Sequence, residues 1–562
     1  MQKTAIEKKL LFLQKKIMKQ FTSILLIFLF FTGSAVAQNK NVKNVIVLIP
    51  DGTSLSVVSA ARWYQRCINP EKPNLNIDPY ICGTVLSYSS NAPIGDSAPT
   101  TSAYMTGYTS RAGSVSMYSP ADQKNDIIPL DPEKAYQPLM TIMEAARISQ
   151  KKSTGLVFTC EFAHATPADC ASHTYNRSKY EWIVPQMVHN KLDVVIGGGV
   201  SLLTEQHQQF LKEGGYSVFL DDLKGFRDYQ KNQMWALFGN MDMAYDIDRD
   251  PEKQPSMAEM TKKAIELLSK NKNGFFLMVE GSKIDWAAHG NDAVATITEM
   301  LAFDKACGVA LDFAKKDGKT VVLVVPDHGT GGFSIGSNNC PNYSSLTKDE
   351  LFGKIAKFKT SVGALESRIK QIDPTTLKDF FNVTTGITLS DEDYNKLLVC
   401  ADYRRSSIPE EDRTQGLLLS RVIAEIVNKN ICFGFTTTGH TGEELFLAIY
   451  DPTKSNPTGH KTNIELNLYL QRIMGLKQNL DLMTKFYFAK HTDVFTDYLY
   501  NIANVNNMPV LEVKNKNNVL EITPNTSITK LNGKEIDISS VIIHVDRNNT
   551  FYLPQSLRDL LR

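Results

Sequence analysis

The stretch TVVLVVPDH, residues 320–328, indicates both the fold class and the place of a site. Its first six residues are Thr, Val and Leu without a charge, as is typical of a strand buried on both faces of a parallel sheet. Asp327 and His328 follow where this strand would leave the sheet. In open α/β sheets, ligands bind beyond the carboxyl ends of the strands. We therefore expect a buried sheet with a polar site at one edge.

Four further apolar runs share this pattern and alternate with helix-like stretches. They are NVIVLI (44–49), STGLVFT (153–159), DVVIGGG (193–199) and GFFLMVE (274–280). Strands that are apolar on both faces and alternate with helices indicate a sheet covered on both sides. The predicted fold class is α/β, with a central, mostly parallel sheet that is flanked by helices on both faces.

Two regions depart from this alternation. Residues 337–432 are polar and helix-like, before FGFTTTGHTGEELFLAIYD (433–451) resumes the strand pattern, so we interpret 337–432 as a helical insertion. Beyond Leu476, a helical connector leads to four short strands with alternating polarity, VLEVKN, VLEITP, SITKLNG and VIIHVD. Residues 477–562 are therefore expected to form a connector and a small β-rich C-terminal appendage.

The N-terminus has the composition of an export signal. Residues 21–37 carry no charge and end in Ala-Val-Ala, which matches the A-x-A cleavage site of signal peptides. This segment is too short for an ordinary membrane-spanning helix. We expect residues 1–37 to be a signal peptide and the mature protein to be periplasmic or extracellular, with no membrane attachment after cleavage. A retained anchor is the alternative, and the start codon is left open between Met1 and Met18.

Charge and cysteine content narrow the classes of partner. The 562-residue chain has 61 Lys and Arg against 60 Asp and Glu, and residues 1–37 hold six Lys and one Glu of these. The mature chain is thus slightly acidic, which does not favour nucleic acid as a partner. The eight cysteines lack C-x-x-C zinc spacing, and export would permit disulfides. Cys160 and Cys170 are the pair that we suspect first, although the sequence does not fix the pairing.

Acidic residues and histidines stand at or just past the ends of the predicted strands. One of them alone proves little, because an Asp after a strand often caps the next helix and a single His is commonly structural. Asp285 and His289 are four residues apart, however, so a helix would present both on one face. Mixed Asp and His donors suit zinc, and an all-oxygen set suits magnesium. The candidate ligands are Asp51, Glu280, Asp285, His289, Asp327, His328 and His440.

The segment PIGDSAPTTSAYMTG (93–107) places a hydroxyl ahead of an apolar helical run. Ser97 would therefore lie near a helix N-terminus, where backbone N–H groups favour an anion. The alternative is that Asp96 and Ser97 only cap the helix. The two roles are compatible, because a Ser at this position faces whatever the helix end binds.

Seven segments together resemble the alkaline phosphatase family, and they occur in the family's order with compatible gaps. They are PDG (50–52), DSAPTTSAYMTG (96–107), HATPA (164–168), SHTYNR (172–177), VEGSKIDWAAH (279–289), PDHGTGGF (326–333) and TTGHTGEEL (437–445). The resemblance implies the sheet-and-helix sandwich of that family, with residues 38–476 as the catalytic domain. It also implies three metal ions in each chain, two Zn²⁺ and one Mg²⁺.

The resemblance further implies which residues hold these ions. The expected ligands of the first zinc are Asp285, His289 and His440. Those of the second zinc are Asp51, Asp327 and His328. The expected ligands of magnesium are Thr166 and Glu280, together with Asp51, which would bind both magnesium and the second zinc.

Four more residues receive roles from the resemblance. Ser97 would be the nucleophile, and Arg177 would grip two phosphate oxygens as a planar fork, which a Lys could not do. His164 and Trp286 fall at positions that vary within the family and should lie near magnesium and phosphate. The implied activity is hydrolysis of small phosphate monoesters, with a broad range, through a phosphoserine intermediate that releases inorganic phosphate and an alcohol. The oligomeric state is left open, with a homodimer as one option.

Three other functions fit parts of the pattern. A sulfatase on the same scaffold needs an Arg in C/S-x-P-x-R, and residues 97–101 read SAPTT. A phosphodiesterase of the same superfamily generally lacks the magnesium ligands together with an Arg on the phosphate. A catalytically inactive phosphate- or metal-binding protein would need a substituted ligand position, and the motifs have none.

Overall fold

The computed structural model describes residues 42–340, 342–405, 418–538 and 540–562, so the predicted signal peptide lies outside the described residues. A ten-stranded sheet forms the centre of the fold. Its strands are β1 (Asn44–Ile49), β2 (Ile81–Leu86), β3 (Ser153–Glu161), β4 (Val194–Gly198), β5 (Ser217–Leu220), β6 (Met234–Leu237), β7 (Phe275–Glu280), β8 (Thr320–Val324), β9 (Leu445–Tyr450) and β10 (Gly459–Thr462).

The spatial order of the strands is β10-β2-β9-β8-β1-β7-β3-β4-β6-β5. All run parallel except β9, which is antiparallel to both of its neighbours. Ile46 and Leu48 of β1 belong to one hydrophobic core, and Val45 and Val47 belong to the other. Successive side chains of a strand point to opposite faces, so each face of the sheet carries its own core. The prediction of a mostly parallel sheet covered on both faces is confirmed.

Helices cover these faces and fill the connections between strands. Several begin at a residue whose side chain accepts a hydrogen bond from the first turn, as Ser54 and Thr141 do. The helices up to residue 317 are α1 (Leu55–Ile68), α2 (Ser97–Thr106), α3 (Ile142–Gln150), α4 (Ala165–Ala168), α5 (Tyr180–His189), α6 (Glu205–Glu213), α7 (Leu223–Asp228), α8 (Met257–Leu268), α9 (Ser282–His289) and α10 (Ala293–Asp317).

The insertion is helical, as the sequence predicts, and its two ends are joined. Ser334–Ile335 pairs with Phe433–Gly434, and a disulfide links Cys340 to Cys432. The helices between them are α11 (Lys348–Phe352), α12 (Val362–Ile369), α13 (Leu377–Thr385), α14 (Asp391–Arg405) and α15 (Leu419–Ile431). Both α12 and α14 pack on α15, which makes α15 the centre of the insertion.

The suspected disulfide between Cys160 and Cys170 is wrong. Both thiols are free and fully buried. The Cys160 thiol donates to Oε2 of Glu280, and the Cys170 thiol donates to the carbonyl oxygen of Thr166. The chain between the two cysteines contains the end of β3 and the turn of α4, which direct the two side chains to different partners. Proximity in sequence therefore did not predict proximity of the sulfur atoms.

The C-terminal region is a helical connector followed by two small sheets, as predicted. The elements are α16 (Asn463–Met474), α17 (Leu480–Tyr487), β11 (Ala489–Lys490), α18 (His491–Val494), β12 (Leu499–Val505), β13 (Met508–Lys514), β14 (Val519–Ile522), β15 (Ile528–Leu531), β16 (Lys534–Asp537), β17 (Ile543–Val545) and β18 (Thr550–Leu553). Strands β12 to β16 form one sheet, and β11, β18 and β17 form the other. Leu511, Leu520 and Phe551 belong to the core of this region. Across the described ranges, every helix is too short or too polar to cross a membrane.

Candidate active site

The candidate site lies at the carboxyl edge of the sheet, where β1, β7 and β8 end side by side. Ile49 of β1 is in register with Glu280 of β7, so Asp51 and Glu280 leave the sheet from adjacent strands. Asp327 and His328 follow β8, the other neighbour of β1. This edge is where an open parallel sheet binds its ligands, because the side chains of several connections converge there.

Asp285, His289 and His440 form the first donor group. Asp285 and His289 lie one turn apart on α9, and Nε2 of His289 is 3.3 Å from Oδ2 of Asp285. His440 follows the insertion, and its Nε2 is 3.2 Å from Nε2 of His289 and 4.0 Å from Oδ1 of Asp285. Two donors that are each about 2.0–2.1 Å from a tetrahedral zinc lie about 3.3 Å apart. The spacing of this group therefore fits zinc.

Hydrogen bonds direct the lone pairs of the two histidines at each other. Nδ1 of His289 is 2.5 Å from the carbonyl oxygen of Thr438, and Nδ1 of His440 is 2.8 Å from that of Gly95. A carbonyl oxygen only accepts, so each Nδ1 carries a proton, and in the neutral rings both facing Nε2 atoms are unprotonated. Two such lone pairs repel unless a cation lies between them. Metal-binding histidines usually donate their other ring N–H in this way.

The charges around the first donor group favour a cation. Burial opposes protonation of His289, but the hydrogen bond and the charge of Asp285 outweigh it and raise the pKa of His289 to about 9. Burial also opposes ionisation of Asp285, yet the hydrogen bond from His289 and the charge of His328 hold the pKa of Asp285 below its usual range. In the absence of metal, a proton on His289 supplies the positive charge, and a bound zinc would have to displace it.

Asp51, Asp327 and His328 form the second donor group, and all three are buried. Nε2 of His328 is 3.2 Å from Oδ2 of Asp327 and 3.6 Å from Oδ1 of Asp51. The backbone N–H groups of Gly52 and His328 both donate to Oδ1 of Asp327, which fixes the direction of that carboxylate. These distances are again those of donors that share one ion.

The carboxylate of Asp51 is the clearest sign that the second group needs a cation. Among the described residues, neither of its oxygens has a hydrogen-bond partner. Burial, together with the nearby charges of Asp327 and Asp285, raises the pKa of Asp51 well above its usual value. An ionised carboxylate in such a place is costly unless it is paired or coordinates a metal.

Ser97 is the first residue of α2, and its hydroxyl faces the second donor group. Oγ of Ser97 is 3.1 Å from Nε2 of His328. Asp96, the N-cap residue, turns its carboxylate away from the helix and accepts from the backbone N–H of Gly113 and from Arg177. The side chain of Asp96 therefore does not cap the helix. The hydroxyl stands instead between a helix N-terminus and a set of metal donors.

Glu280 is the centre of a third group. Its Oε2 accepts from the thiol of Cys160 at 3.4 Å, and Cys160, His164 and Glu280 each offer a donor atom within 4.8 Å of the others. Within the described part of the chain, Oε1 of Glu280 and Oγ1 of Thr166 are buried without a hydrogen-bond partner. Burial raises the pKa of Glu280 to about 8. Two orphaned oxygens suit magnesium.

Cys160 is the residue of this region that the sequence reasoning missed. Its position at the carboxyl end of the buried strand β3 was the available signal. As a disulfide candidate, Cys160 carried no expectation of the contact with Glu280 that the structure shows.

Arg177 links the nucleophile region to the third group. Its guanidinium donates to Oδ1 of Asp96 and, at 3.0 Å, to Nε2 of His164. Since a guanidinium only donates, Nε2 of His164 accepts and the ring proton lies on Nδ1. Burial and the charge of Arg177 lower the pKa of His164 to about 3, so this ring stays neutral. The ring of Trp286 meets that of His164 edge-on, with the centroids 5.8 Å apart. The expected neighbours of magnesium and phosphate thus adjoin one another.

Comparison with known proteins agrees with this geometry. The sequence model of the alkaline phosphatase family matches residues 42–476. The chain belongs to the alkaline phosphatase family. It is therefore a phosphoric monoester hydrolase, and the family resemblance of the seven segments is confirmed. The match spans the insertion and ends before the two small C-terminal sheets.

Named relatives of this alkaline phosphatase include bacterial and human enzymes. Alkaline phosphatase 3 of Bacillus subtilis (strain 168) is 33% identical over 449 residues, which cover 76% of this chain and 87% of the relative. Alkaline phosphatase 4 of the same strain is 32% identical, with 77% and 89% covered. The human tissue-nonspecific isozyme is 28% identical over 397 residues, with 60% and 74% covered.

Solved structures of alkaline phosphatases share the fold. The cold-active enzyme of Shewanella sp. aligns with a TM-score of 0.66 at 24% identity, over 77% of this chain and 99% of its own. The Thermus thermophilus enzyme aligns with a TM-score of 0.67 at 22% identity, over 79% and 95%. A mutant of the TAB5 enzyme, 25% identical with a TM-score of 0.53 over 78% and 99%, has Mg bound in its M3 site. The predicted fold class is confirmed.

Proposed function

We propose that this alkaline phosphatase hydrolyses phosphate monoesters through a phosphoserine intermediate on Ser97, at a site with two zinc ions and one magnesium ion. The observation that carries the proposal is the hydroxyl of Ser97, which lies 3.1 Å from Nε2 of His328 beside the second donor group. Asp285, His289 and His440 would hold the first zinc, as their spacing supports. The second zinc would be held by Asp51, Asp327 and His328.

The zinc ions, when bound, would supply Lewis-acid charge that lowers the pKa of a hydroxyl and stabilises a departing alkoxide. Oγ of Ser97 attacks phosphorus as the bond between phosphorus and the ester oxygen breaks, and its proton ends on the departing alcohol. Water then attacks the phosphoserine, giving inorganic phosphate and returning a proton to Ser97. The covalent intermediate divides one difficult displacement into two easier ones.

Arg177 is proposed to hold the phosphoryl group during both displacements. Asp96 and His164 already orient its guanidinium at the N-terminal end of α2, next to the nucleophile. A planar guanidinium can donate to two phosphate oxygens at once, which neutralises charge where it is transferred. His164 and Trp286 adjoin Arg177 and would shape the surroundings of the phosphate.

Magnesium is proposed to bind at Asp51, Thr166 and Glu280. Support comes from the orphaned oxygens of these three side chains, all of them fully buried in the fold. Helix α4, which carries Thr166, packs against β7, which ends in Glu280. Magnesium would neutralise this concentration of carboxylates and order the site.

The remaining features of the proposal concern organisation and location. Residues 38–476 would be the catalytic domain, with 337–432 as an insertion, and 477–562 would be a separate helical and β-rich region. A signal peptide over residues 1–37 would direct the enzyme to the periplasm or the outside of the cell. The substrates would be small monoesters of many kinds, because the proposed catalytic residues contact the phosphoryl group and make few contacts with the alcohol.

A substrate panel tests the proposal. Monoesters, diesters and sulfate esters are each assayed before and after dialysis against a chelator, and again after zinc and magnesium are restored. We expect monoesters to be hydrolysed best, activity to vanish with the metals, and both ions to be needed for full recovery. A preference for diesters or sulfate esters, or full activity in metal-free enzyme, would contradict it.

A further inference from the structure

A cavity of about 590 Å³ adjoins the first donor group on the side of the insertion. The side chain of His289 is 38% exposed, against 20% for His440 and 5% for Asp285, so the first donor group opens towards solvent at His289. We call this cavity the insertion pocket. Its lining includes His289, Thr438, Asp393, Lys396, Arg421 and Asn428.

The position of the insertion pocket indicates which part of the substrate would occupy it. In the proposed mechanism Ser97 attacks from beside the second donor group, so the alcohol would leave on the opposite side of phosphorus, towards the first donor group, where a bound zinc would supply charge that stabilises it. An alcohol that leaves beside His289 would extend into the space that His289 itself lines. The pocket would therefore contact the alcohol part of the substrate and leave the phosphoryl group to Ser97 and Arg177.

Basic side chains in the insertion pocket differ in whether they are already paired. Lys396 forms an ion pair with Glu392 at 2.8 Å, and Lys429 lies 3.9 Å from Asp393. Arg421 forms no ion pair with any residue that the structure describes, although Glu425 lines the same pocket one turn further along α15. Among the described residues, Arg421 is thus the basic side chain of this pocket without an acidic partner, and the N–H groups that it does not direct at Thr438 can bind an anion.

A short chain of contacts connects Arg421 to the first donor group. Nη2 of Arg421 lies 3.4 Å from Oγ1 of Thr438, and the carbonyl oxygen of Thr438 accepts from Nδ1 of His289 at 2.5 Å. A single residue therefore separates the guanidinium from an expected zinc ligand. A small substrate could reach both at once.

Asn428 provides a second polar contact in the insertion pocket. It is only 9% exposed, and its amide donates to the carbonyl oxygen of Asn291 at 2.8 Å. Its Oδ1 is buried without a hydrogen-bond partner among the residues that the structure describes. A buried acceptor of this kind is usually satisfied, and because this oxygen has almost no solvent-accessible surface, a substrate hydroxyl would donate to it only after a small shift of the Asn428 side chain.

We propose that the insertion pocket selects monoesters whose alcohol carries an anionic group and a hydroxyl, with Arg421 binding the anion. This inference rests on the proposed function and names the substrate class that the insertion would favour. A guanidinium presents a planar fork that matches a carboxylate or a second phosphate. The insertion would then act as a specificity element beside a site that is otherwise permissive.

Two substrates that differ only in the anionic group provide the test. Phosphoglycerate and glycerol phosphate, both esterified at a terminal carbon, differ by a carboxylate in place of a hydroxymethyl group. We expect the wild-type enzyme to prefer phosphoglycerate, and Arg421→Gln to lower the ratio of the two kcat/KM values about tenfold. The change should be mainly in KM, because the contact exists before the chemical step. The preference should also weaken at high salt.

Matched variants separate this effect from others. Lys396→Gln removes a charge from the same pocket, but Lys396 is already paired, so the substrate ratio should stay near the wild-type value. Arg421→Lys keeps the charge and loses the fork, so it should give an intermediate ratio. Zinc content of each variant shows that the donor groups are intact.

The outcomes distinguish a failure of the proposed function from a failure of the role proposed for Arg421. If the wild-type enzyme hydrolyses neither substrate, the proposed function itself fails. If it hydrolyses both and Arg421→Gln leaves the ratio unchanged, only the present inference is overturned. An equal loss for both substrates would also overturn it, since Arg421 would then act through Thr438 and His289 alone.

Discussion

Replacement of Arg177 by alanine should reduce the hydrolysis of monoesters more than the hydrolysis of diesters. During the transfer to Ser97, the attacking and leaving oxygens occupy opposite sides of phosphorus. One of the three other oxygens faces the metal donors, which leaves two for the guanidinium in a monoester. In a diester, one of those two carries the second ester group and is blocked. The variant therefore removes two contacts from a monoester and about one from a diester.

The size of the effect follows from these contacts. A hydrogen bond to a charged group contributes about 1.5–3 kcal/mol. The Arg177 side chain is 24% exposed, so solvent weakens its contacts and the lower end of that range is appropriate. Each lost contact then reduces kcat/KM about tenfold. We expect a loss of about a hundredfold for monoesters and about tenfold for diesters.

The assay compares p-nitrophenyl phosphate with bis(p-nitrophenyl) phosphate, and follows inhibition by inorganic phosphate in parallel. Inhibition should weaken together with monoester hydrolysis, because phosphate uses the same fork. Arg177→Lys is the matched control, since it keeps the charge and one donor direction but loses the bidentate contact. Zinc content must be normal, because Arg177 also contacts Asp96 and His164. Equal losses for the two esters, or no loss, would show that Arg177 does not bind two oxygens of the phosphoryl group.

Three further predictions concern the nucleophile, the metal donors and the insertion. Ser97→Ala should lower kcat by orders of magnitude while metal content stays near normal, whereas Thr101→Ala should leave kcat near the wild-type value. The reverse result would identify Thr101 as the nucleophile in place of Ser97. His289 has a pKa of about 9 without metal, so it is protonated at about pH 7.5 and zinc must release that proton. Calorimetry in buffers of different ionisation enthalpy should detect this proton release, and the number of protons released should fall as the pH rises through about 9. Zinc binding without proton release would contradict the assignment of His289 as a zinc ligand. Replacing both Cys340 and Cys432 by Ser opens a loop of 92 residues, so the free energy of unfolding should fall by up to about 4–5 kcal/mol. Thermal unfolding of the oxidised and the reduced wild-type enzyme checks this, and an unchanged midpoint would contradict it.

The sequence predicted the centre of the fold because burial leaves a direct trace in composition. Runs such as NVIVLI and TVVLVV are apolar at every position, and they became β1 and β8 at the middle of the sheet. Strands towards the edges were missed. ICGTVL of β2 is largely half-exposed, and SVFL of β5 is a four-residue edge strand. Short or partly exposed strands lack the continuous apolar pattern, so they resemble loops.

Several donors of the candidate site could be located from the sequence because they follow the ends of predicted strands. Asp327 and His328 come directly after β8, and spacing along a helix placed Asp285 and His289 on one face. The contacts between distant segments could not be read in this way. The carbonyl oxygen of Thr438, which orients His289, comes from a segment 149 residues away. Such contacts depend on how the chain returns to the sheet, which local pattern does not encode.

Direct identification of the phosphorylated residue tests the proposed phosphoserine intermediate on Ser97. The enzyme, loaded with zinc and magnesium, is mixed with excess monoester, quenched in acid and digested for mass spectrometry. We expect phosphate on Ser97 alone, and no phosphate when the enzyme has first been stripped of metal. Phosphate on Thr100, Thr101 or a histidine, or full turnover without any trapped phosphoserine, would contradict it.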